Sequence, residues 1–230
     1  RDVAALVRAA RHHVAVDTGP RWADPTRTAE LVLAAVPTAG APPAAADGWR
    51  EEWLAAGARA AAQVDALLAE DAMFSGLHVA RHIWRELQDA AQLFLAASWP
   101  IRQVQLTAQR RRGLRVLANR GANGIDGLVS TAWGAAATHD GPTVALLGDL
   151  AFLHDSNGLL APGQEPRPPL RYIVIDNDGG GIFSQLEQAA PRFAADFERV
   201  FGTPHGLHLV GRTRLSGVPG RGVDDLDTFV

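Results

Sequence analysis

Two continuous apolar runs dominate residues 144–183: Val144-Ala145-Leu146-Leu147 and Tyr172-Ile173-Val174-Ile175. A strand with one wet face alternates polar and apolar residues, whereas a strand covered on both faces does not. The runs therefore predict two parallel strands inside an α/β sheet. The first runs into Gly148-Asp149-Leu150, the second into Asp176-Asn177-Asp178-Gly179-Gly180-Gly181-Ile182-Phe183. Ligands of open α/β sheets bind just outside the carboxyl ends of the strands, so Asp149 and Asn177 are expected to meet there. An Asp carboxylate, an Asn carbonyl and a nearby backbone carbonyl are hard oxygen ligands suited to Mg²⁺. A helix expected over 151–160 would offer free N–H groups to a diphosphate. The glycines let the backbone approach a ligand closely.

The rest of the chain fits the same class. Leu93-Phe94-Leu95-Ala96-Ala97 reads as a buried strand and Leu114-Arg115-Val116-Leu117-Ala118 as the next strand, alternating with helices expected over 100–111 and 125–139. That is a doubly wound, mostly parallel sheet with helices on both faces. Upstream, Ala-rich helices are expected over 49–69 and 75–87. A segment rich in Ala, Gly and Pro at 38–47 reads as a linker. Before it come a helix over 1–11, a short strand at 13–16 and a helix opened by Asp24-Pro25 and ending near Pro37. After the second run, a helix is expected over 192–200, a strand over 207–210 and a weak helix from Val223. The domain expectation is 1–47 as the end of a middle α/β domain plus linker, and 48–230 as a diphosphate-binding domain incomplete at its C-terminus.

Composition excludes several chemistries. All 22 basic residues are Arg, and Lys is absent, so no Schiff-base or Walker-type lysine is present in these residues. Cys is also absent, which removes disulfides, thiolate metal sites and catalytic thiols. A net charge of −3 argues against bulk nucleic-acid or anionic-membrane binding. No apolar run reaches the length of a membrane span, and a cytoplasmic location is the default expectation.

Gly148-Asp149, followed one helix and one strand later by Asp176-Asn177, resembles the thiamin-diphosphate (ThDP) and Mg²⁺ motif of ThDP-dependent enzymes. The usual form is Gly-Asp-Gly and Asn-Asn, so Leu150 and Asp176 each depart from it. Those departures are shared with one branch. Asn119-Arg120-Gly121-Ala122-Asn123-Gly124-Ile125-Asp126-Gly127, Ser98-Trp99-Pro100-Ile101-Arg102 and Gly179-Gly180-Gly181-Ile182-Phe183 resemble motifs of the MenD family. These are the synthases of 2-succinyl-5-enolpyruvyl-6-hydroxy-3-cyclohexene-1-carboxylate (SEPHCHC). Thr203-Pro204-His205 adds weaker support.

The resemblance implies ThDP and Mg²⁺ (or Mn²⁺) as cofactors, and 2-oxoglutarate and isochorismate as substrates. It implies decarboxylation of the first and addition of the resulting succinic-semialdehyde carbanion to the second, giving SEPHCHC and carbon dioxide in menaquinone biosynthesis. Metal ligands would be Asp149, Asn177 and the Gly179 carbonyl. Gly148, Asp149, Leu150, Ala151, Asn177, Gly179, Gly180, Ile182 and Ile125 would contact ThDP. Ile125 would prop the cofactor into its bent shape. Ser98, Arg102, Arg120, Phe183 and Leu186 would face substrate, and Arg forks suit dianionic substrates. A homodimer or homotetramer with the site at the subunit interface is implied. So is a Glu that activates the aminopyrimidine ring from a pyrimidine-binding domain not found in these residues, and the fragment alone is expected to be inactive.

Other readings stand beside these. Asp178 with Gly180 keeps the same ligand spacing as Asn177 and its partner. Ile125, Phe183 and Leu186 fit ordinary packing on periodicity alone, and the Arg residues fit surface ion pairs. His78 and His82 share a helix face, but no third ligand accompanies them, and packing is the simpler role. His154 is a candidate for indirect support of the metal site and His205 for a loop contact; neither reads as a catalytic base. The runner-up function is another ThDP enzyme, a 2-oxo acid decarboxylase or an acetolactate-synthase-like enzyme. A non-catalytic nucleotide-binding or interaction module is the third reading.

Overall fold

A computed structural model describes residues 2–19, 24–38, 47–119, 124–160 and 164–229. The chain divides into two compact units, Arg1–Glu52 and Trp53–Val230.

The first unit contains helix α1 (Asp2–Ala9) and two short parallel strands, β1 (Val14–Val16) and β2 (Leu31–Leu33), with Val14 opposite Leu31. The helix expected from Asp24-Pro25 does not form. Instead the Asp24 carboxylate accepts the N–H groups of Thr26 (3.1 Å), Arg27 (3.0 Å) and Ala29 (2.9 Å). Arg27 adopts a left-handed φ of 55°. Side-chain oxygens of Asp compete with the helical ladder for just these donors. They pull the Asp24 carboxyl down to about 2, the Ala29 N–H most of all. The freed chain then extends, and Leu31-Val32-Leu33 pairs with β1.

Helix α2 spans Trp49–Glu70, and all but its first residues belong to the second unit. There it is followed by α3 (Gly76–Glu86), β3 (Gln92–Leu95), α4 (Trp99–Thr107), β4 (Arg115–Ala118), α5 (Leu128–Ala137), β5 (Thr143–Gly148), α6 (Asp149–His154) and β6 (Leu170–Ile175). The four strands β3–β6 form one parallel sheet in the order β4-β3-β5-β6. β3 is buried throughout, as a strand covered on both faces must be. Leu93 and Leu95 pack with Val79, Ile83 and Val104 of α3 and α4. Phe94 and Ala96 pack on the other face with Leu128, Ala132 and Phe152 of α5 and α6. The expected α/β architecture is therefore present.

The chain leaves β3 toward β4 with α4 on one face, then returns across β3 to β5 with α5 on the opposite face. The strand order reverses between β3 and β5, which is where open α/β sheets hold ligands. Ser98 follows β3 and Asp149 follows β5 at this point.

Several helices differ from expectation. α5 starts at Leu128 rather than Ile125, because Gly127 takes a left-handed φ of 67°. α4 ends at Thr107, whose hydroxyl donates to the Gln103 carbonyl (2.9 Å). α6 lasts six residues and gives way to a 3₁₀ turn, Ser156–Leu159. Residues 192–200 are broken into a 3₁₀ turn (Pro191–Phe193), the short helix α7 (Ala194–Phe197) and a π-helical turn (Glu198–Gly202). The strand expected over 207–210 is absent. Left-handed Gly206 turns the chain, and Leu209 opens helix α8 (Leu209–Leu215), packing on the α5–α6 core. A last turn, α9 (Leu226–Phe229), lays Phe229 against His82, with ring centroids 5.2 Å apart.

Tyr172 of β6 ties the sheet to α5 by donating to the Val129 carbonyl (2.9 Å). Burial, then the Asp155 charge, pushes its phenol above the ordinary value. A raised phenol stabilises the fold below its unfolded value of about 10 and loses that contribution as pH rises further. Tyr172→Phe is expected to cost about 1 kcal/mol in urea unfolding at neutral pH. The variant should also lose part of the stability decline seen above pH 10. An unchanged unfolding midpoint would show that the bond contributes nothing.

Candidate metal and diphosphate site

Asp149 is 2% exposed, and its carboxylate holds two strand ends together. Oδ2 accepts the N–H groups of Asn177 (3.0 Å) and Gly179 (2.8 Å), and Oδ1 accepts that of Leu150 (2.6 Å). Gly148 pairs with Ile175 across β5 and β6, so the two loops leave the sheet side by side. The meeting of Asp149 and Asn177 follows directly from this register.

The Asn177 carboxamide lies 3.0 Å from Asp149 Oδ2 and 2.9 Å from the Gly179 carbonyl oxygen. With its NH₂ turned toward them, it donates to both. With its own carbonyl turned toward them, three oxygens converge with no donor among them, an arrangement that a cation satisfies. The donor set of carboxylate, carboxamide and backbone carbonyl fits Mg²⁺ or Mn²⁺.

Asp178 is committed elsewhere. It has a left-handed φ of 56°, and its Oδ1 accepts the N–H groups of His205 (2.9 Å) and Gly206 (2.7 Å). The alternative ligand register, Asp178 with Gly180, would break this clamp. Gly179 and Gly180 are both buried, and the Gly180 N–H donates to the Gly202 carbonyl (2.6 Å). A Cβ on Gly179 would run into the Gly202 carbonyl oxygen, and one on Gly180 into that of Phe201. The glycine run is therefore needed for close passage of two backbones.

Around this centre the other candidates are distributed unevenly. Ala151 is buried, while Gly148, Leu150 and Ile182 are half-buried beside the loops. Ile125 packs against the α5–α6 core. Phe183 lies on Phe201, ring centroids 5.3 Å apart, and Leu186 is 43% exposed at the end of a 3₁₀ turn, Gly181–Gln185. Ser98 has a left-handed φ of 77°, unusual for a non-glycine residue and typical of functional positions. Its carbonyl accepts Arg102 Nη1 (2.7 Å), and the Arg102 side chain is otherwise exposed. Next to Ser98, Trp99 lines a cavity of about 820 Å³ shared with Asp176 and Asn177. Arg120 lies outside the described residues.

His205 is the residue that sequence reasoning undervalued. Its side chain is 10% exposed, with Nε2 3.5 Å from Asp149 Oδ2 and 3.6 Å from Asp176 Oδ1. Asp149, Asp176 and His205 present one ligand atom each within 4.8 Å of one another. Thr203-Pro204-His205 was the available signal, but only the fold shows where it lands. The other histidines are structural or peripheral. His78 is buried, bonding Ser75 Oγ (3.0 Å) and the Leu68 carbonyl (2.9 Å). His154 faces Asp126 (3.4 Å) at the surface.

No protein-family model matches the chain. Curated relatives do. The chain is 47% identical over 215 residues to 2-succinyl-5-enolpyruvyl-6-hydroxy-3-cyclohexene-1-carboxylate synthase of Nocardia farcinica, covering 91% of this chain and 38% of the relative. It is 48% identical over 225 residues to the synthase of the same name from Thermobifida fusca, covering 95% and 40%. Against that of Mycobacteroides abscessus the identity is 42% over 226 residues, covering 97% and 41%. The chain thus spans roughly two fifths of the length of these relatives. With nearly all of its residues aligned at this identity, the chain belongs to the family of the 2-succinyl-5-enolpyruvyl-6-hydroxy-3-cyclohexene-1-carboxylate synthases.

Proposed function

We propose that the chain is the diphosphate-binding part of a ThDP- and Mg²⁺-dependent SEPHCHC synthase, preceded over 1–47 by the end of a middle domain. The reaction is decarboxylation of 2-oxoglutarate and transfer of the remaining four-carbon unit to isochorismate, in menaquinone biosynthesis. The observation that carries this reading is the Asp149 carboxylate receiving the Asn177 and Gly179 N–H groups at the sheet edge. The names of the relatives supply the product. We place the working enzyme in the cytoplasm as a homodimer or homotetramer; no described helix is long and apolar enough to cross a membrane.

When bound, ThDP supplies the electron sink for decarboxylation. This chain supplies its grip. Asp149, Asn177 and the Gly179 carbonyl would hold Mg²⁺, which in turn holds the diphosphate. Gly148, Leu150, Ala151, Gly180, Ile182 and Ile125 would line the cofactor. The Asp149 carboxylate arrives already oriented by three backbone N–H groups, so little reorganisation is needed on binding. Arg102 uses one Nη on the Ser98 carbonyl and keeps the rest of its fork for a substrate carboxylate. Arg120 would act as a second clamp, Ser98 Oγ would hydrogen-bond a substrate oxygen, and Phe183 and Leu186 would form an apolar wall.

In the complete enzyme carrying these residues, 2-oxoglutarate consumption is expected to depend on isochorismate. Equal consumption without isochorismate would instead favour a simple 2-oxo acid decarboxylase. The 230 residues alone are expected to bind cofactor without turnover, and a measurable SEPHCHC rate from them would overturn that.

A further inference from the structure

His205 Nε2 is buried and has no hydrogen-bond partner, although the side chain is almost wholly enclosed. The other ring nitrogen explains why this matters. Nδ1 accepts the Leu207 N–H at 2.9 Å, so it presents a lone pair and Nε2 carries the proton in the neutral ring. That N–H stands between two carboxylates, 3.5 Å from Asp149 Oδ2 and 3.6 Å from Asp176 Oδ1. Both distances lie just beyond good hydrogen-bond range. A buried donor left without a partner is costly, and such a group in a native fold calls for an explanation.

The backbone around the ring is not free to drift. His205 N–H and Gly206 N–H are fixed on Asp178 Oδ1 (2.9 and 2.7 Å), and the Gly180 N–H is fixed on the Gly202 carbonyl (2.6 Å). Thr203, two residues before, has a left-handed φ of 46°. Segment 202–207 is thus fastened to the loop carrying Asn177 and Gly179, and the fastening aims the imidazole at Asp149.

We propose that His205 is a positioning residue: its Nε2–H, standing between the Asp149 and Asp176 carboxylates, holds the Asp149 carboxylate in the arrangement that receives a divalent cation. The inference rests on the metal site proposed above. Carboxylates that bind metal are themselves hydrogen-bonded, and losing such a partner typically costs 10–100-fold in metal affinity. His205 makes no bond to the metal in this role. Closing the gap to Asp149 by a few tenths of an ångström gives the Nε2–H its bond and adds a side-chain donor to a carboxylate that three backbone N–H groups already orient.

The test is a titration of the chain with Mn²⁺ in the presence of ThDP, reading free Mn²⁺ by electron paramagnetic resonance. His205→Gln keeps an N–H donor at the end of a side chain of similar reach. His205→Met fills the space without one. The expected result is about a 10–100-fold weaker Mn²⁺ affinity in His205→Met and a change within about threefold in His205→Gln. Equal losses in both, or no loss in His205→Met, would overturn the role, since a merely space-filling ring would treat them alike. Asp149→Ala is measured alongside. If it binds Mn²⁺ as tightly as the parent chain, the metal site itself is wrong. If it alone loses binding, the site stands and only the part given to His205 falls.

Discussion

Asp149→Ala is expected to remove Mg²⁺-dependent ThDP binding, lowering affinity by more than the roughly 10–100-fold that follows loss of an outer hydrogen-bond partner. Two effects combine. The substitution deletes the buried carboxylate at the point where β5 and β6 end, the only buried one among the described residues. It also strips the Asn177 and Gly179 N–H groups of their acceptor, so the loop that presents the other two ligand oxygens loses its anchor. Unsatisfied buried donors cost about 1–3 kcal/mol each, so a lower thermal midpoint should accompany the lost binding. Asp149→Asn should keep more of the fold, because its carbonyl can still accept one of these bonds, while losing the charge that the cation needs. Calorimetric titration of ThDP with and without Mg²⁺ checks both variants. An Asp149→Ala chain that binds ThDP as the parent does would remove Asp149 from the metal site.

Gly179→Ala is the second large effect. Gly179 has φ 134°, a region that L side chains rarely enter, and its added Cβ would collide with the Gly202 carbonyl oxygen. Backbone strain of this kind costs about 1–3 kcal/mol, and overpacking against a fixed neighbour costs a similar amount. The sum, about 2–6 kcal/mol, is expected as a drop in unfolding free energy measured in urea. The obstacle is backbone, not a flexible side-chain tip, so relaxation must move segment 202–206. Because His205 and the Asp178 clamp lie on that segment, ThDP affinity should fall as well. A substitution costing under about 0.5 kcal/mol, the usual range for unconstrained surface positions, would contradict the close passage described here.

What the sequence disclosed depended on how much of each signal was local. The strands at 93–97 and 144–147 were legible because strands buried on both faces leave unbroken apolar runs; those at 114–118 and 172–175 end the described sheet and are exposed to half-buried, yet their apolar residues still marked them, and each of the four appears within a residue or two. The juxtaposition of Asp149 and Asn177 was legible for the same reason, since parallel neighbours place their carboxyl ends together. Asp24-Pro25 misled because a cap and a turn use the same residues. The choice was made by the Ala29 N–H on Asp24 and by pairing with β1, where the His13 carbonyl accepts the Glu30 N–H (2.9 Å), and neither is legible in the local sequence. Leu207-His208-Leu209-Val210 misled because a four-residue apolar run does not distinguish strand from helix. His205 was undervalued because its environment is built from three loops distant in sequence. Burial of its ring by the 176–180 and 202–207 segments has no local signature.

The central claim is that Asp149, Asn177 and the Gly179 carbonyl hold a divalent cation on the diphosphate. Anomalous diffraction from crystals of the chain grown with Mn²⁺ and ThDP tests it most directly. The account predicts a single manganese peak at the end of β5 and β6, in direct contact with oxygen atoms of all three residues. In that structure the Asn177 carboxamide should have its oxygen, not its NH₂, turned to the metal. A peak ligated instead by Asp149, Asp176 and His205 Nε2, or no peak at this edge of the sheet, would contradict it.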